Sequence, residues 1–132
     1  MKRQLFVVVA GVAMLCGARA YAHHSQVAVY KTSEEQKIEG TLAQVLIRSP
    51  HSWIHVDTKD EKGQPKRYAI EWGGATQLRN ANVDGKTLKV GEKVRVTGRP
   101  GRNAADLRML MVYIETVDGR WTWGNKPGEV VD

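Results

Sequence analysis

Ser49-Pro50-His51-Ser52-Trp53-Ile54-His55-Val56-Asp57 is a proline followed by unbroken alternation. On a β-strand successive side chains point to opposite faces, so His51, Trp53, His55 and Asp57 share one face and Ser52, Ile54 and Val56 the other. The apolar pair Ile54 and Val56 marks the core side. A tryptophan flanked by two imidazoles is left on the outer side. The chain has four histidines, and the other two are adjacent, at His23-His24.

Working outward, Asp60-Glu61-Lys62-Gly63-Gln64 has the composition of a hairpin turn, with a glycine free to take positive φ. The next run alternates again: Tyr68, Ile70 and Trp72 on one face, Arg67, Ala69 and Glu71 on the other. Folding the two strands about the turn sets Asp57 opposite Arg67, His55 opposite Ala69 and Trp53 opposite Glu71. Any register that keeps Ile54, Val56, Ile70 and Trp72 together in the core preserves those faces. Trp53, His55, Glu71 and His51 are therefore expected to form one outward polar patch.

Before this hairpin, residues 37–48 alternate through Ile38, Gly40 and Leu42, then resume at Val45 and Ile47. The phase slip predicts a bulge near Ala43-Gln44 in one long, bent strand. Residues 26–31 read as a short strand or an extended arm, and residues 32–36 as a loop. After the hairpin, Gly73-Gly74 breaks the strand and residues 75–80 suit a short helix. Residues 93–97 and 107–116 read as strands, separated by an exposed loop at 99–106 rich in Gly, Arg and Asn. Asp118-Gly119 turns into a last hairpin at 121–123. Three strands, a short helix and two strands is the order of the small, five-stranded OB-like barrel, so the fold class is mainly all-β. A split β-sandwich is the rival. Alternation places Leu42, Val45, Ile54, Val56, Tyr68, Ile70, Val94, Val96, Met109, Met111 and Tyr113 in the core.

Residues 1–22 stand apart. Lys2-Arg3, an apolar run from Leu5 to Leu15 and Ala20-Tyr21-Ala22 have the layout of a cleaved secretory signal peptide. The run is shorter than the about 20 residues a spanning helix needs, so the protein is expected not to be membrane-spanning. Leu15 before Cys16 argues against a lipid anchor. Residues 23–123 are then one small β-barrel domain, with a flexible tail at 124–132, in a periplasmic or secreted protein. Cleavage removes the single cysteine, Cys16, and with it any thiolate nucleophile or ligand. It also removes Lys2, Arg3 and Arg19 but no acid, lowering the formal net charge of +6 by three. So mild a charge in an exported chain disfavours nucleic acid as partner.

Cleavage would leave His23 with a free α-amine beside its own imidazole. Such a residue chelates one metal through both nitrogens, and a second imidazole completes the three-nitrogen arrangement called a histidine brace. That donor set favours copper, which tops the divalent affinity series. The α-amine has a pKa of about 8 and is available near neutrality at little cost. His23, His24, His51, His55 and Glu71 are accordingly the candidate metal ligands. A different class of function is metal-free binding of an envelope sugar or polyanion, with Trp53 as platform and Arg48, Arg67, Arg99 and Arg102 as cations. No HExxH, paired CxxC, phosphate loop or nucleophile elbow is present, which favours binding over catalysis.

Ala22-His23-His24-Ser25, Pro50-His51-Ser52-Trp53-Ile54-His55-Val56, Val90-Gly91-Glu92-Lys93-Val94 and Gly98-Arg99-Pro100-Gly101-Arg102-Asn103 together resemble a bacterial family of small exported proteins classed as a domain of unknown function. Its members typically read Ala-His-His-Ser at the signal junction and Asn-Pro-His before the second strand. Ser49 stands here where the family commonly has asparagine. The resemblance implies a small secreted β-domain and no particular activity.

Overall fold

The chain turns the alternating pattern around Gly40 into a strand long enough to serve two neighbours. The computed structural model describes residues 26–128. In it β1 (Gln36–Leu46) pairs with the fourth strand over residues 36–41 and with β2 (Ser52–Lys59) over residues 41–46. Its register slips between Leu42 and Gln44, the bulge expected from the phase of its apolar residues. β3 (Pro65–Trp72) follows, then α1 (Ala75–Asn80), β4 (Lys93–Pro100), β5 (Arg108–Thr116) and β6 (Thr122–Gly124). A single 3₁₀ turn, Ala104–Asp106, interrupts the loop before β5, and β4 runs on through Arg99 and Pro100.

The hairpin carries the register read from sequence: Trp53 opposite Glu71, His55 opposite Ala69 and Asp57 opposite Arg67. Its turn closes as its composition requires. Gly63 takes φ 77°, and the Asp60 carboxylate accepts from the backbone N–H groups of Lys62 and Gln64.

The sheet runs β3-β2-β1-β4-β5-β6, and β3 also pairs parallel with β5. That pairing spans only Ala69 to Glu71 against Arg108 to Leu110. It closes a five-stranded mixed barrel, leaving β6 as an antiparallel appendage on β5. Closure removes the free edges that an open five-stranded sheet would expose.

The barrel is filled by Leu42, Ile54, Val56, Ile70, Val94, Val96, Met109 and Met111, all buried, and Tyr113 is buried as well. Val45 and Tyr68, expected inside, are half-buried and pack against this cluster. Leu78 of α1, with Val83 and Leu88 of the loop behind it, adds to the same core. Ile114 is buried too, on a strand whose two faces are both apolar. β6 supplies the reason, since Trp123 pairs with Ile114 and packs on the cluster. Trp72 meets Trp123 and Trp121 edge-on, at ring-centroid distances of 5.0 and 6.4 Å.

Two expectations are corrected. Residues 26–31 are neither a strand nor an extended arm: 26–29 form a helical turn, closed by the Tyr30 N–H on the Gln26 carbonyl, and Tyr30 then makes one antiparallel bridge with Gly101. Glu71 does not join a solvated outer patch. It lies on the outward face of β3, as alternation requires, yet is only 7 % exposed. The expected signal peptide, His23 and His24 lie outside the described residues, as does the end of the tail. The tail's first residue, Gly124, pairs with Tyr113.

Candidate functional site

Four segments meet on the outer wall where β3 and β5 close the barrel. β2 supplies Trp53, and the approach to it supplies His51. β3 supplies Glu71, and the first residue of β5 supplies Arg108. The segment ahead of β1 supplies Tyr30, which lies across this wall and is 1 % exposed. Backbone bonds fix the segment in place: Lys31 N–H donates to the Pro100 carbonyl at 2.9 Å and Arg102 N–H to the Val29 carbonyl at 2.9 Å. The Arg102 guanidinium adds a bond to the Val27 carbonyl at 2.8 Å.

Glu71 is the hub. One carboxylate oxygen, Oε1, faces His51 Nδ1 in close contact. The other, Oε2, accepts a short bond from the Tyr30 hydroxyl and one from Arg108 Nη2 at 2.9 Å. Arg108 Nε donates to the Tyr30 oxygen at 2.7 Å, so Tyr30, Glu71 and Arg108 form a closed triangle. The Arg108 guanidinium also stands 4.8 Å from the centre of the Trp53 ring and 5.3 Å from that of Tyr30. Burial by itself raises the Glu71 carboxyl. The bonds from Tyr30 and Arg108, with the charges of His51 and Arg108, outweigh it and hold the group below the ordinary carboxylate value. The Tyr30 phenol moves upward, through burial first and the neighbouring carboxylate second.

The other candidate residues are distributed elsewhere. His55 shares the strand face with His51, but four residues along a strand span about 13 Å with Trp53 between them. Its Nδ1 is 2.7 Å from Gln44 Oε1 on β1. Among the described residues no three His, Cys, Asp or Glu side chains are placed to hold an ion together. Arg67 is engaged by Asp57 through two bonds of 2.6 and 2.8 Å. Arg102 braces the Tyr30 segment, Arg99 is half-buried at the end of β4, and Arg48 is exposed. The cation beside Trp53 is Arg108, which sequence reasoning passed over together with Tyr30. The exposed Asp57–Arg67 pair is worth little in water. Arg67→Ala is expected to leave the melting temperature essentially unchanged in a calorimetric scan.

A cavity of about 330 Å³ opens beside His51, lined also by Gln26, Gln77, Leu110, Trp72 and Trp123. Gln26, in the helical turn ahead of Tyr30, lines the same cavity as His51. Fold and site together define a small closed β-barrel of the OB type, with a histidine on its outer face gripped by a buried carboxylate. The chain belongs to the Family of unknown function (DUF6152), whose model matches residues 11–108. No curated protein matches the chain.

Proposed function

We propose that this is an exported metal-binding barrel, periplasmic or secreted, in which copper(II) is held by the amine and ring of His23 and by the imidazole of His51. The observation that carries this reading is the place of Gln26, which lines the same cavity as His51. Three residues span at most about 11 Å, the scale of the cavity that Gln26 and His51 share. His51 is favoured over His55 as third nitrogen because His55 lies about 13 Å further along β2 and is engaged with Gln44. The anchoring of Tyr30 adds support: a chain end fastened to the barrel loses less entropy when it closes around an ion than a free arm would.

Titrating copper(II) into a chain beginning at His23, the same chain acetylated at its α-amine, and its His51→Ala variant tests the reading. Acetylation turns the amine into an amide and removes one of the three nitrogens without supplying a new one. Binding is expected to weaken by well over tenfold in both altered forms, where each tenfold is about 1.4 kcal/mol. His55→Ala is expected to bind as the parent does. Equal affinity with and without the acetyl group rules the brace out. Undetectable binding in every form leaves a metal-free module for an envelope sugar or polyanion.

A further inference from the structure

Both oxygens of the Glu71 carboxylate are engaged. Oε1 meets His51 Nδ1, while Oε2 takes both the Tyr30 hydroxyl and the Arg108 guanidinium. An ionised carboxylate accepts hydrogen bonds and donates none, so the His51 nitrogen facing it carries the proton. In the neutral ring the lone pair then sits on the other nitrogen, Nε2. The His51 side chain is 43 % exposed, whereas that of Glu71 is 9 % exposed. One edge of the imidazole is therefore tied to a buried anchor while the ring as a whole remains reachable.

We infer that Glu71 is a positioning residue rather than a ligand: it fixes His51 in the Nδ1–H tautomer and presents Nε2 outward, while Tyr30 and Arg108 hold the carboxylate in place. The inference deepens the copper reading and rests on it for the identity of the ion. A metal drawing on Glu71 directly competes with His51 at Oε1 or with two donors at Oε2, and its positive charge comes to rest near the Arg108 guanidinium, whose Nη2 is 2.9 Å from Oε2. The acid that sequence spacing offers as a ligand is thus withdrawn from the donor set. What remains is nitrogen, which suits copper and disfavours the oxygen-preferring ions manganese and magnesium. A ligating histidine whose other nitrogen donates to a carboxylate is a general device for orienting the ring and raising its basicity.

The first measurement needs no variant. Nitrogen-15 NMR of the metal-free chain beginning at His23, at a pH where His51 is neutral, is expected to show a protonated Nδ1 and an unprotonated Nε2. A protonated Nε2 overturns the inference. Glu71→Ala removes the acceptor and is expected to release the ring into a mixture of tautomers. Glu71→Gln keeps an acceptor oxygen and is expected to restore the Nδ1–H form. With copper(II) added, Glu71→Ala is expected to weaken binding by about 10- to 100-fold. The paramagnetic resonance spectrum of Glu71→Gln is expected to keep the parent's all-nitrogen pattern. A changed donor set in Glu71→Gln shows Glu71 to be a ligand and overturns the inference. The expected tautomer with no copper bound to any form overturns the copper reading and leaves the orientation of His51 standing.

Discussion

Glu71→Ala is expected to lower the unfolding free energy by about 3 kcal/mol at neutral pH, read from urea midpoints. The loss arises from the partners left behind more than from the removed side chain. The Tyr30 hydroxyl is buried under its own segment, and Arg108 has been positioned to meet a negative charge. Leaving a buried ion without its partner costs about 3–5 kcal/mol. The Arg108 side chain is 36 % exposed and regains some water, which places the effect at the lower end. Glu71→Gln keeps an acceptor and a similar shape, and is expected to cost about half as much.

The same contact sets the direction of the pH dependence. A carboxyl whose value is lowered on folding contributes stability above its unfolded value, ordinarily 4.5 for glutamate. That contribution declines as the pH falls below 4.5 and is gone once the folded-state group has taken up its proton. Tyr30 acts at the other extreme. Its upward shift contributes fully below the ordinary value of 10.0 and is lost as the pH rises beyond it. Parent and Glu71→Ala stability curves are thus expected to converge in acid and to differ most near neutrality. A constant gap down to pH 3 contradicts an ionised Glu71 as the origin of the stability.

Gly40→Ala is expected to destabilise the barrel by about 3 kcal/mol, the upper end of the usual range for overpacking. A Cβ at position 40 would fall on the Asp57 carbonyl oxygen and 2.8 Å from Val56 Cγ1. The first of these is backbone in the adjoining strand, so no rotamer change relieves the clash. Gly40 sits where β1 passes from pairing with β4 to pairing with β2, and a barrel this narrow needs the two chains that close there. Unfolding in urea, with heteronuclear spectra to locate the disturbance, is expected to show a lowered midpoint and shifts concentrated on residues 40–42 and 56–57. An unchanged midpoint contradicts a tight crossing at Gly40.

The hairpin was legible because one face of each strand is buried. A slip by one residue would expose Ile54, Val56 and Ile70 together, so the pattern carries its own register. The bulge was legible for a related reason, since Leu42 and Val45 both pack on the core across a slip in phase. Glu71 was misjudged because alternation assigns a face and says nothing about what covers it. The cover is residues 26–31, too short for a periodic signal and placed by contacts with Gly101, Arg102 and Arg108 far along the chain. Arg108 was missed because its neighbourhood depends on three parallel residue pairs, and parallel pairing leaves no hairpin to read. The histidines divide similarly: the strand face of His51 and His55 follows from spacing, whereas the partner that separates their roles does not.

The partners in the Tyr30, Glu71 and Arg108 triangle are 37, 41 and 78 positions apart in sequence. The hairpin, by contrast, joins neighbours across a five-residue turn. Loop closure grows costlier with length, and contacts between distant residues come late in folding. The antiparallel hairpin therefore has its register before the seam between β3 and β5 exists, and Tyr30 docks only onto a finished wall. On that order His51 is expected to gain its fixed orientation late, once Tyr30 and Arg108 hold Glu71. On the copper reading, an ion present before the seam shuts is expected to meet a loose imidazole, and one that comes afterwards a prepared one.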